Sequence, residues 1–173
     1  MRFSNAISID QVTPDDAYAM WALVAKTPKL DDNSLYTYLM LTQYFAETCH
    51  VAKGSDGLLG FVTSFISPQA KDRLFVWQVA VDPEHRRQGI ASLLLQSILA
   101  GPLCRHIAYI EATITPNNGP SMGLFEQLAA DWDAPLKTRP LFSREHFATT
   151  GHDPEDLVEI GPLAHRKNRC TTN

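Results

Sequence analysis

VWQVAVDPEHRRQGIASLLL, residues 76–95, is the stretch on which the fold turns. It begins inside an apolar run, Arg73 to Asp82, that is apolar on both faces and so reads as a central strand buried on both sides. Asp82-Pro83 closes the strand, and Ile90, Leu94 and Ile98 then recur one turn apart, predicting an amphipathic helix from Ile90 to Ala100 that Gly101-Pro102 ends. Between strand and helix lies Arg86-x-x-Gly89-x-Ala91. Small residues stand there where backbone must approach something closely, and the first-turn N–H groups of the helix point at it. Arg86 and Arg87 add positive charge, so the turn suits a phosphate-bearing ligand. It is neither a GxGxxG nor a GxxxxGK[ST] loop. The plain alternative is a solvated basic helix start.

Outward from this unit, the other elements follow from pattern. Ile7 to Val12 alternates as a strand. Thr13-Pro14-Asp15-Asp16 starts a helix, with Thr13 as cap and Pro14 at the first helical position, running through Ala17, Met20, Trp21 and Val24 toward Pro28. A polar joint, Leu30 to Ser34, leads to a second helix carrying Tyr36, Tyr38, Leu39, Leu41, Tyr44 and Phe45. Cys49 to Lys53 and Leu58 to Ile66 form a hairpin around Gly54 to Gly57. Ile107 to Thr115 is a second central strand, and Pro116-Asn117-Asn118-Gly119-Pro120 precedes a helix through Leu124, Phe125 and Leu128. The remainder is less regular apart from a last strand at Leu157 to Ile160. The order β-α-α-β-β-β-α-β-α-β is a mixed α/β sheet with helices on both faces.

Composition narrows the function classes. A chain of 173 residues with 45% hydrophobic content supports one domain with a real core, expected over residues 1–163, followed by a polar, basic tail at 164–173. A net charge of −4 supplies no field for phosphate backbones, which argues against a dedicated nucleic-acid binder. No apolar run reaches about 18 residues, and Met1 to Asn5 lacks the apolar centre of a signal peptide. Cys49, Cys104 and Cys170 form no metal spacing, no CxxC pair and no disulfide framework. The expectation is a cytoplasmic protein with no metal and no membrane or nucleic-acid partner.

At Arg86, Gly89 and Ala91 the chain resembles the GNAT superfamily of N-acetyltransferases, whose pyrophosphate loop reads [Q/R]-x-x-G-x-[G/A]. The resemblance implies the GNAT fold, a strongly twisted mixed sheet with acetyl-CoA in a V between two splayed parallel strands, here Trp77 to Val81 and Tyr109 to Thr113. Its cofactor-binding residues would be Val79, Ala80, Val81, Arg86, Arg87, Gln88, Gly89, Ile90, Ala91, Asn118 and Phe125. A narrower resemblance spans nearly the whole chain. Leu30-Asp31-x-Asn33-Ser34-x-Tyr36-x-Tyr38-Leu39, Phe75 to Pro83, Glu111-Ala112-Thr113 with Thr115-Pro116-x-Asn118, and Glu145-His146-Phe147 look like the L-2,4-diaminobutyrate acetyltransferase family. That family acetylates Nγ of the diamino acid during synthesis of ectoine, a compatible solute. The resemblance also implies a homodimer joined through its C-terminal portions.

Acetyl transfer needs a neutral amine, and a side-chain amine is only about one part in a thousand neutral at pH 7. The site must take a proton, position the nitrogen and stabilise an oxyanion. A bulge around Gln78 to Ala80, implied by the resemblance, would aim an N–H at that oxygen. Glu111, a carboxylate inside IAYIEATIT, is assigned as proton acceptor through a water and as ammonium ligand; the alternative is an ion pair or cap on the strand. Trp77 would wall the pocket and offer its indole N–H, or simply fill core. Asp31 is assigned to a substrate amine, with helix capping by Asp31, Asn33 or Ser34 as the alternative. Tyr36 would face the pocket, while Tyr38 suits the core equally. His146 and His152 are candidates for the substrate carboxylate, against a plain surface role. Phe125 departs from the superfamily, where a Tyr there protonates the leaving thiolate; a phenyl ring has no proton to give. This favours one alternative, a non-catalytic acetyl-CoA-binding module; weak discrimination between substrates one methylene apart keeps a second, acetylation of another small diamine or polyamine, and a third is an acetyltransferase of protein N-termini or lysines.

Overall fold

The structure, a computed structural model, describes residues 7–27, 33–55, 57–148 and 151–163. Seven strands hydrogen-bond in the order β1-β2-β3-β4-β5-β7-β6: β1 Ser8–Gln11, β2 His50–Gly54, β3 Gly57–Ile66, β4 Arg73–Val81, β5 Tyr109–Ile114, β6 Leu136–Phe142 and β7 Glu155–Ile160. Among the described residues four α-helices accompany them: α1 Ala17–Ala25, α2 Leu35–Tyr44, α3 Ile90–Ala100 and α4 Gly119–Asp131. The described chain divides into two compact units. One takes the residues up to Ile66 and Val76–Arg105; the other takes Ser67–Phe75 and the residues from His106 onward. β4 contributes to both.

In the first unit the hairpin β2–β3 is the centre. Val51 pairs with Phe61, and both share a core with Met20, Val24 and Tyr38 from α1 and α2. The neighbouring pair, His50 and Val62, faces the other way, where His50 Nδ1 lies 2.9 Å from Ser97 Oγ of α3. Helices therefore cover both faces of β3, and Leu59 to Ser64 are buried without a break. β3, not β4, is the strand buried on both sides. In β4 only Leu74, Val76, Gln78 and Ala80 are buried, and Trp77 is 45% exposed. A continuous apolar run does not distinguish a strand covered twice from one whose second face is only half-buried, as in β4.

Local chemistry sets the helix ends. Pro14–Asp16 forms a 3₁₀ turn before α1, and Asp16 Oδ2 accepts from Thr13 N at 2.8 Å and from Thr13 Oγ1 at 2.9 Å. Its other oxygen holds Lys53 Nζ at 2.7 Å. α2 is capped by Ser34, whose Oγ accepts from Thr37 N, so of the three capping candidates the structure selects Ser34. Asp31 lies outside the described residues. Tyr38 is fully buried, packs edge-on to Phe61 and donates to Gln78 Oε1 at 2.8 Å.

The second unit is built on β5. Arg73, Leu74 and Phe75 pair in parallel with Tyr109, Ile110 and Glu111, while β7 pairs with β5 antiparallel and β6 with β7. Ile110, Ala112 and Ile114 are buried, as are Leu157, Val158 and Ile160 of β7 and Phe125, Leu128 and Ala129 of α4. β6 has no counterpart among the predicted strands. Lys137, Thr138, Arg139 and Pro140 are exposed in succession, so it carries no two-residue period, and a proline is tolerated because it is an edge strand. β7 begins at Glu155, two residues before the apolar run.

Two glycines mark close approaches. A Cβ on Gly60 of β3 would stand 2.7 Å from the Ala80 carbonyl oxygen of β4. Gly161, at φ +145°, would place a Cβ 2.5 Å from Tyr109 Cδ1 and 2.6 Å from Ala108 O. Gly60→Ala is expected to cost about 1–3 kcal/mol by forcing β3 away from β4. Gly161→Ala is expected to cost at least as much, because its backbone conformation is strained in addition to the clash. Urea midpoints at constant m-value check both; a midpoint unchanged in either variant contradicts the close approach.

Candidate active site

The turn after β4 has the form expected of an anion cradle. Asp82 Oδ1 accepts from Glu84 N at 2.9 Å and starts the 3₁₀ turn Pro83–His85. Arg87 and Gly89 then adopt left-handed backbone, φ 60° and φ 79°. A Cβ on Gly89 would meet nothing within 4 Å, so conformation and not crowding is what requires glycine there. Successive N–H groups are thereby turned toward one side as α3 begins, and no side chain caps its N-terminus. Arg86, Arg87, Gln88 and Gly89 are exposed, Ala91 is half-buried, and Ile90 is buried as the first core residue of α3. The donor set fits a pyrophosphate. Upstream in β4, Val79 and Val81 are half-buried and Ala80 is buried.

Trp77 belongs to the half-exposed face of β4, so it does not fill core. Two tyrosines near the start of α2 divide in the same way: Tyr36 is 68% exposed and Tyr38 is core. Cys49 is buried, and burial pushes its thiol up to about 11, which leaves it protonated at neutral pH and no nucleophile.

In the second unit, Glu111 sits on the half-exposed face of β5. It faces Glu159 of β7 directly across the ladder. Arg73 bridges them: its Nη1 bonds Glu111 Oε1 and lies 2.6 Å from Glu159 Oε2, while the guanidinium carbon stands 4.3 Å above the Tyr109 ring. The bond to Glu159, with that to Glu111, raises Arg73 above its already high ordinary value. The ion pair anticipated as the alternative role of Glu111 is present. It uses one carboxylate oxygen; the other has no protein donor among the described residues.

The C-terminal loop holds both histidines. Ser143 N donates to His146 Nδ1 at 3.1 Å, which leaves that ring its proton on Nε2. His152 is the opposite tautomer, because its Nδ1 lies 2.6 Å from the Asp153 carbonyl and must donate. Its ring stacks on Phe147 at 4.1 Å, and its Nε2 is 3.8 Å from Glu155 Oε1. Arg144 and Asn117 both hold Asp153, at 2.7 and 3.3 Å, tying this loop to the segment before α4. There Asn118 Oδ1 caps α4 by accepting from Ser121 N at 3.2 Å, and Phe125 is a buried core residue of the same helix.

Pattern reading missed Arg73 and Glu159. Arg73 stands at the edge of an apolar run, where a charge reads as a strand end; Glu159 is one of several acids in Glu155 to Ile160, and only the strand register singles it out. Among the described residues no group of three His, Cys, Asp or Glu side chains is placed to hold a metal, and no helix is long and apolar enough to cross a membrane.

Residues 17–130 match the acetyltransferase (GNAT) family. The chain is 45% identical over 159 residues to an L-2,4-diaminobutyric acid acetyltransferase from Halalkalibacterium halodurans, covering 92% of this chain and 84% of that one. It is 44% identical to an enzyme of the same name from Marinococcus halophilus, covering 92% of each. Among solved structures it is similar to diaminobutyrate acetyltransferase EctA from Paenibacillus lautus, in complex with its substrate L-2,4-diaminobutyric acid and coenzyme A. That match has a TM-score of 0.89 and 35% identity over 92% of this chain and 96% of the other. A cradle of left-handed turn and helix N-terminus after β4, in a chain alike to these enzymes over nine-tenths of its length, places it in the GNAT acetyltransferase family, among the L-2,4-diaminobutyrate acetyltransferases.

Proposed function

We propose that this chain transfers the acetyl group of acetyl-CoA to Nγ of L-2,4-diaminobutyrate, giving N4-acetyl-L-2,4-diaminobutyrate for ectoine synthesis. Transfer is direct, within a ternary complex. The observation that carries this reading is the neighbour of known ligands: a structure holding diaminobutyric acid and coenzyme A that shares the fold at TM-score 0.89 and 35% identity. We read residues 1–163 as one acetyltransferase domain acting as a cytoplasmic homodimer under osmotic stress, with 164–173 as a tail. The exposed edge strand β6 suits assembly through the C-terminal portion.

The roles follow from chemistry. Acetyl-CoA supplies an activated thioester. The turned N–H groups of Arg87 to Ala91, with the guanidinium groups of Arg86 and Arg87, hold its pyrophosphate, and the edge of β4 at Val79, Ala80 and Val81 holds its arm. Asn118 both caps α4 and lies beside the arm. Glu111 ligates the substrate ammonium with the oxygen that Arg73 leaves open and takes its proton through a water. Trp77 walls the pocket, Tyr36 lends its hydroxyl and Asp31 binds the second amine. His146, with its proton on Nε2, donates to the substrate carboxylate; His152 joins it only when protonated, since its neutral Nε2 is an acceptor. Phe125, buried and without a proton, has no acid role.

CoA thiol release is the test, with acetyl-CoA and equal L-2,4-diaminobutyrate, ornithine, lysine and putrescine, and NMR of the product. Preferential turnover of diaminobutyrate with acetyl on Nγ is expected. Preference for another amine supports the wider diamine reading, and acetyl-CoA binding without release from any amine supports a binding module; either overturns the proposal. Glu111→Gln is expected to lower kcat by roughly 10²–10⁴-fold while the KM for acetyl-CoA stays near native.

A further inference from the structure

We infer that Arg73 is a specificity-determining residue: by neutralising one of the two carboxylates Glu111 and Glu159, it tunes the amine site to a diamino acid and against diamines that lack a carboxylate. This rests on the proposed role of Glu111 as the ammonium ligand.

The geometry is a fixed charge arrangement. Glu111 and Glu159 are register partners on β5 and β7, so their side chains leave the same face of the ladder. Arg73 is the register partner of Tyr109 on the other side of β5 and lies on that face as well. Its Nη1 reaches both carboxylates, and the Tyr109 ring beneath it holds the guanidinium in place. Tyr109 in turn is backed by Gly161, where any side chain would collide with the ring. One guanidinium against two carboxylates leaves a single negative charge. Lys137, the register partner of Glu159 on β6, is exposed and makes no ion pair with either acid among the described residues, so water screens it.

That residual charge matters to selectivity. L-2,4-diaminobutyrate carries two ammonium groups and one carboxylate near neutral pH, a net charge of +1. Putrescine carries the same ammonium groups without the carboxylate, a net charge of +2. A site potential that becomes more negative favours the dication more strongly, because its attraction is not offset by repulsion of a carboxylate. All three side chains keep only 15–28% of their exposure, so screening of the cluster is incomplete. Removing Arg73 therefore shifts preference toward the diamine.

The experiment measures competitive inhibition by putrescine of diaminobutyrate acetylation at saturating acetyl-CoA. Its readout is the ratio of putrescine Ki to diaminobutyrate KM. In Arg73→Met the ratio is expected to fall by about tenfold. In Arg73→Met/Glu159→Gln, which again leaves one carboxylate, it is expected to return toward the native value, and Arg73→Lys is expected to keep it there. An ion pair that served only to hold strands together would weaken putrescine and diaminobutyrate alike and leave the ratio alone, and that result overturns the inference. Should Arg73→Met fail to fold, Glu159→Gln alone decides: the ratio must rise above native. A native chain that acetylates no diaminobutyrate brings down the proposed function and this inference together. Native turnover with an unmoved ratio in the variants brings down this inference alone.

Discussion

Two carboxylates directly opposite each other on neighbouring strands repel, and Glu111 and Glu159 would weaken the β5–β7 ladder if nothing stood between them. Arg73 is the counter-charge that permits the arrangement. Its reach depends on the parallel pairing of Arg73 to Phe75 with Tyr109 to Glu111, which sets the guanidinium over Tyr109 and beside both acids. The dependence runs both ways. Truncating Arg73 leaves a half-buried acid pair uncompensated, whereas a charge-balanced change at Arg73 and Glu159 removes attraction and repulsion together. A carboxylate held in this way is rigid and, among the described residues, keeps one oxygen unclaimed by protein donors, which is what an ammonium ligand requires.

The cofactor half of the proposed site is built on a different principle. No buried charge is involved; the anion cradle comes from backbone conformation. Arg87 and Gly89, both left-handed, turn consecutive N–H groups outward just where α3 leaves its own first-turn donors unpaired. The cost of a left-handed Arg87 is borne by a helix whose other face is a packed core of Ile90, Leu94, Leu95, Ile98 and Leu99. Local strain and distant packing are thus linked through one helix.

Most of this order is legible in the sequence. α3 starts and ends at the residues its period and glycines dictate, and the hairpin falls where alternation and Gly54 to Gly57 put it. The failures have physical causes. β6 was invisible because an edge strand with one solvated side and a proline needs no apolar period. β4 reads as doubly buried because a half-buried apolar face looks, in one dimension, like an apolar face fully covered by a helix. The site residues divide in the same manner. Gly89 and Asn118 stand out through backbone chemistry local in sequence, whereas the Arg73–Glu111–Glu159 cluster is assembled from positions 38 and 48 residues apart and exists only through strand register. Register is a property of pairing, and no single strand announces it.

The substrate proposed here makes contradictory demands, since ammonium and carboxylate groups lie within one short molecule. In the proposed roles, the answers are separated by stiffness. The acid that would take the reacting amine is on a central strand, clamped by a guanidinium and an aromatic ring. The candidate carboxylate donors are on a loop, and there the two histidines are not equivalent. His146 uses its Nδ1 lone pair to cap its own turn and so presents an N–H at any protonation state, while His152 spends its Nδ1–H on a carbonyl and offers a donor only as a cation beside Glu155. Loop position by itself gives poor precision, but Asp153, held by Arg144 and by Asn117 next to the α4 cap, anchors this loop to a helix start. On the proposed roles the lower-precision element would hold the group whose placement matters least to the chemistry, because a carboxylate that only orients the substrate tolerates more displacement than an amine that must meet a thioester carbon.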